Sequence, residues 1–147
     1  MTYSPNFRGT SATSARALQT TYQNGEGFTI TKSKPVSING SSQMVLVDVT
    51  SDASVAGIVG VAAQDTLSAA NGLVLDVGRL ENITTSFNIG DAIYIDTDGS
   101  LTNVRPSIGV GLWTAGMFVV FVGVIVKNEF NALQKDLKVY MDVVGQL

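Results

Sequence analysis

Twelve carboxylates carry most of the acid–base chemistry open to this chain near neutral pH, because it contains neither histidine nor cysteine. Without imidazole or thiol there is no Cys–His or Ser–His nucleophile pair, no zinc or haem site of the usual kinds and no imidazole base. Glycosidases manage with two carboxylates held about 5 to 10 Å apart, so the acids are where catalysis would have to be sought. They are Asp48, Asp52, Asp65, Asp76, Asp91, Asp96, Asp98, Asp136 and Asp142, with Glu26, Glu81 and Glu129. Most stand at the ends of apolar runs or beside Gly, Asn and Ser, where Asp serves backbone geometry. No pair is singled out, and the reading is a non-enzymatic chain with no catalytic residue and no cofactor.

Three further patterns could carry chemistry. Asp96-Thr97-Asp98-Gly99 has the alternate acids and glycine that begin many calcium loops. Ser100 and Asn103 follow, but no glutamate closes the loop, so the segment reads as a turn and not as a metal site. The glycines at 57 and 60, or at 109, 111 and 116, are not followed by Lys-Ser/Thr and a helix, so they form no phosphate loop. Trp113, near Phe118 and Phe121, has the chemistry of a stacking platform for a sugar or base, against which stands the usual fate of aromatics in β domains, core packing. With a net charge of −3 and no run of Lys or Arg, the chain lacks the basic patch that nucleic acid or an anionic membrane requires.

The elements that must hold these residues are organised around Phe87 to Lys127. Ala92-Ile93-Tyr94-Ile95-Asp96 alternates, meets Asp98-Gly99 and resumes at Leu101, which is the signature of a β-hairpin. Met117 to Val126 is apolar throughout and rich in β-branched and aromatic residues, as a strand covered on both faces would be. It is too short to cross a bilayer as a helix, which takes about 20 residues. Earlier, Phe28 to Thr31, Val36 to Ile38, Met44 to Val49, Gly57 to Ala62, Leu73 to Val77 and Glu81 to Ser86 read as short strands. The glycines in the fourth of these point to a bulge or a close backbone approach. Asp65 to Ala70 is the best stretch for a helix, with Asp65 as cap and Asn71-Gly72 as stop. Asp136 to Val144 alternates charge with hydrophobe and predicts a strand with one wet face. About nine short strands with at most one short helix predict an all-β fold, an antiparallel β-barrel or β-sandwich.

Residues 1 to 27 are rich in Ser and Thr and show no sustained period, so they read as an extended N-terminal arm preceding a β domain at 28 to 147. Tyr3, Phe7 and Tyr22, with Arg8 and Arg16, are the arm's candidate partner-binding residues, because aromatics supply contact area at low entropic cost. Hydrophobic residues make up 45% of the chain and charged residues 14%, so Ser, Thr, Asn, Gln and Gly must cover much of the surface. Such a surface suits a chain that buries part of itself against partners.

The run Phe87-Asn88-Ile89-Gly90-Asp91-Ala92-Ile93-Tyr94-Ile95-Asp96-Thr97-Asp98-Gly99-Ser100-Leu101-Thr102, followed by Ile108-Gly109-Val110, resembles virion structural proteins of tailed bacteriophages, in particular small capsid decoration or cement proteins. Gly57 to Ala62 fits the same resemblance, which spans roughly residues 55 to 126 and leaves out the arm and the closing strand. It implies a β module on the capsid exterior that clamps the major capsid protein, associates with itself as a homotrimer, and reaches across the shell with a terminal arm. It implies no catalytic residue, cofactor, nucleic acid or membrane contact. The rival expectation is a receptor- or glycan-binding module of a tail fibre, which would use Trp113, Tyr94 or the loops.

Overall fold

A computed structural model describes residues 18–147. Nine strands account for about half of them: β1 (Leu18–Asn24), β2 (Pro35–Ile38), β3 (Gln43–Leu46), β4 (Ile58–Ala62), β5 (Asn71–Ile83), β6 (Ala92–Ile95), β7 (Leu101–Thr102), β8 (Phe118–Lys127) and β9 (Lys135–Gln146). Their order is β1-β3-β2-β4-β5-β9-β8-β6-β7, and β1 also pairs with β5. That last pairing closes β1, β3, β2, β4 and β5 into a five-stranded barrel, and β9, β8, β6 and β7 continue the sheet beyond β5. All pairings are antiparallel except β1 with β3, which is parallel.

The boundary between arm and domain falls earlier than the composition of residues 1 to 27 indicates. Leu18–Asn24 is a barrel strand, paired with β5 from Leu18↔Val77 to Gln23↔Asn71. Tyr22 is thereby a half-buried barrel residue packed on the smaller core. Phe28 to Thr31 is reduced from a strand to a single bridge between Ile30 and Thr66.

The helix is also elsewhere. It is α1 (Asp52–Ala56), capped by Ser51, whose hydroxyl accepts from the Ser54 backbone N–H at 3.2 Å, and ended by Gly57. Ser51 to Ser54 does break the preceding strand, but as a helix start. Asp65, the expected cap, uses its carboxylate on the Lys32 N–H at 2.8 Å, and Ala69 takes a positive φ of 65° that no helix allows.

Two hydrophobic cores share the barrel wall. Ala62 and Val74 belong to a small core with Ile30, Val36 and Met44, while their neighbours Val61 and Leu75 belong to the main core with Trp113, Val120, Val122, Ile125 and Leu137. The end of β4 at Val61-Ala62 and the part of β5 opposite it at Val74-Leu75 are therefore buried on both faces, which is why those stretches run apolar without alternating. β8 is fully covered on its main-core face only. On the other face Phe121 and Val124 are half-buried.

Gly60 makes the wall possible. The β2–β4 register shifts between Val36 and Ser37, leaving Val59 as an extra residue, and Gly60 follows at φ 143°. A Cβ there would lie 2.1 Å from the Leu75 carbonyl oxygen. The bulge bends β4 where it lies between β2 and β5, with Val61 paired to Pro35 on one side and Leu75 on the other, as bulges do at barrel corners.

Candidate interaction surface

The hairpin predicted around Asp98-Gly99 is present, with Asp96 N–H bonded to the Ser100 carbonyl at 2.7 Å and Gly99 at φ 85°. The Asp98 carboxylate accepts from both the hydroxyl and the N–H of Ser100, and Asp96 accepts from the Thr97 N–H. Both acids thus serve the turn. Among the described residues no three acids come together as a metal site.

Asp48 and Asp91 behave alike, while Asp76 and Asp142 line a shallow pocket between β4, β5, β8 and β9. Asp48 accepts from the hydroxyl and N–H of Thr50, and Asp91 from the side-chain amide of Asn103 and the N–H of Asn88. These side-chain hydrogen bonds first, and the backbone ones second, hold the Asp48, Asp91 and Asp98 carboxyls below the usual range. A carboxyl depressed in the folded state adds stability above its unfolded pKa, lost as pH falls through the folded value. With no histidine to titrate, the melting temperature should stay flat from about pH 5 to 8 and drop below about pH 4. Thermal melts across that range check it, and a transition between about pH 6 and 7 would contradict it.

Trp113 is 4% exposed in the main core, and Tyr94, 8% exposed, stacks edge-on against Phe121 at 5.8 Å. Phe121 in turn meets Tyr140 at 5.2 Å. Neither Trp113 nor Tyr94 offers a free face to a sugar, so of the residues named for a fibre module only the loops are open to a ligand. A polar groove beside the end of β5 is lined by Lys32, Ser33, Thr84 and Asp65, but Lys32 is spent on the Glu81 carbonyl at 2.6 Å.

What the strands do present is apolar side chains at two loops. The first is the β8–β9 loop, Asn128 to Gln134, which leaves Phe130 94% and Leu133 92% exposed. A polar clamp that pattern reading does not single out holds it. Asn128 is buried; its side-chain oxygen accepts from the N–H groups of Phe130 (2.9 Å) and Asn131 (2.8 Å), and its amide donates to Asp136 (3.0 Å) and Asn82 (3.2 Å). Asp136, 1% exposed, also accepts from the Asn82 N–H at 3.0 Å and from Arg79 at 3.2 Å. A bulge in β5 makes room: Glu81 and Asn82 face the single residue Asp136, with Asn82 at φ 57°, a conformation Asn tolerates. Three donors on one buried carboxylate make a satisfied network, and such networks rigidify what they hold.

The second is the loop between β7 and β8. Trp113 roots it in the core, and turns from Ser107 to Trp113 leave Ile108 60%, Val110 41% and Leu112 77% exposed. Gly116 and Met117 bind the backbone of Leu147, so the chain's end lies beside the loop's base. From Gly99 through Val126 the only charged residue is Arg105. Tyr3, Phe7, Arg8 and Arg16 lie outside the described residues. Comparison of the chain with protein-family models, curated proteins and solved structures finds no match.

Proposed function

We propose that this chain is a structural virion protein that binds the major capsid shell of a tailed phage as a decoration protein. The observation that carries the reading is the clamped β8–β9 loop: a buried Asp136–Asn128 network spends its hydrogen bonds on presenting two large apolar side chains to water. Isolated exposed hydrophobes are ordinary, but a rigid pair at a loop tip is the form a preorganised protein contact takes. The scarcity of charge and the Phe87 to Val110 pattern point the same way.

The N-terminal residues, with Tyr3, Phe7, Arg8 and Arg16, would add a second, individually modest contact to the shell, as segments that order on binding do. Undecorated capsids incubated with wild-type protein, with F130S/L133S and with a chain lacking residues 1–17 test both parts. Retention by sedimentation should fall at least about tenfold for F130S/L133S, the scale of two lost hot-spot residues, and less for the truncation. Equal retention of all three would remove the loop and the arm from the contact. No retention of the wild-type protein on any tailed-phage shell would remove the capsid reading.

A further inference from the structure

The two exposed apolar sites lie at opposite ends of one rigid β8–β9 hairpin and are unlike in shape. The Phe130/Leu133 end is a convex tip. At the other end is an open depression of about 370 Å³, lined by Pro106, Ser107, Val119, Val144 and Leu147 and flanked by Ile108 and Val110. β8 alone spans about 30 Å at the usual rise per residue, so tip and depression of one molecule cannot meet. Charge is matched as well: Glu129, beside the tip, is 71% exposed and held only by a 3.7 Å pair with Arg79, while Arg105 is the one charged residue of the depression.

We infer that the tip of one copy seats in the depression of the next, with Glu129 of one facing Arg105 of the other. Such a contact is heterologous, joining unlike surfaces, so it propagates from copy to copy into a ring or an open chain. The occupant of the depression is a second copy of this chain, because this chain itself supplies an exposed apolar tip whose neighbouring Glu129 is opposite in charge to Arg105 of the depression. Contact between copies uses the tip that the proposed function gives to the shell, so a tip seated in a depression is closed to the shell; self-association needs no shell, and the isolated full chain is enough to test it.

The test uses two variants, each altered at a well-exposed position so that melting is unchanged: F130S/L133S in the tip and V144D in the depression. Sedimentation equilibrium of the wild-type protein should show self-association, and each variant alone should weaken it at least about tenfold, the scale set by loss of a hot-spot contact. Mixed one to one, the two should form a heterodimer, since one intact tip and one intact depression remain. R105E should weaken association and E129R in the same chain should restore it. A wild-type protein monomeric up to about 100 μM, a free-energy gain under about 6 kcal/mol, would overturn the inference. So would self-association untouched by the tip variant, or a mixture that fails to pair, which would mark a symmetric interface. Capsid retention with no self-association would sink this contact and leave the proposed function standing.

Discussion

Gly60→Ala will cost the protein a large part of its stability. The residue sits at φ 143°, and its new Cβ would lie 2.1 Å from the Leu75 carbonyl oxygen, an atom of a paired strand that has nowhere to go. Strain of this backbone conformation is about 1 to 3 kcal/mol for a residue with a side chain. Forcing β4 off β5 adds the loss of packing at Val61 and Leu75, both fully buried. Against a total stability of about 5 to 15 kcal/mol, the melting temperature should fall by at least about 10 °C. Gly40→Ala is the control. Gly40 has no atom within 4 Å of its added Cβ and no positive φ, so the change should be neutral or slightly stabilising through the unfolded chain. Chemical denaturation of the two variants side by side gives the answer, and equal midpoints would disprove the role of the bulge.

Asp136→Ala should produce the second large effect, about 3 to 5 kcal/mol, the range for breaking a buried charged pair. Its carboxylate is the shared acceptor for Arg79, the Asn82 N–H and the Asn128 amide, and its removal takes the partner of the Asn82 N–H and leaves the buried Asn128 amide with the Asn82 side-chain oxygen alone. Arg79→Met should cost less, about 1 to 2 kcal/mol, because the carboxylate keeps two donors and the arginine is partly in water. The order of the two losses separates a network centred on Asp136 from a simple ion pair. Hydrogen exchange gives a second reading: the amides of Phe130 and Asn131, held by Asn128, should lose protection in D136A even at temperatures where the rest of the sheet stays folded. Shell binding and self-association should then fall together, since both draw on a loop already held in its binding shape.

Part of this architecture is legible in the amino-acid order because it depends on neighbours a few residues apart. Asp98-Gly99 between alternating runs demands a hairpin, and Gly57 and Gly60 inside an apolar run announce a bulge or close approach. The closing strand, read over Asp136 to Val144 and extended by a few residues in the structure to Lys135–Gln146, and the core position of Trp113 follow from pattern and composition in the same way. The count of nine strands is right for the same reason, although the pieces differ: Leu73 to Val77 and the first residues after Glu81 belong to one long β5. Its bulge at Asn82 interrupts the apolar pattern without interrupting the strand.

What escapes such reading depends on partners far away in the chain. Leu18–Asn24 looks like part of a polar arm because its side chains are mostly exposed; it is a strand only because the backbone of β5 is there to pair with it. Asp65 has the look of a helix cap until Lys32, thirty-three residues earlier, claims its carboxylate. Asp136 reads as the wet position of an alternating strand and is instead the most buried acid, because a bulge fifty-four residues away brings Asn82 over it. Turn chemistry and hydrophobic pattern are properties of a short window, so residue order decides them; pairing, burial of a charge and the aim of a loop tip arise only when distant strands share one sheet, so the closed barrel and its extension decide those.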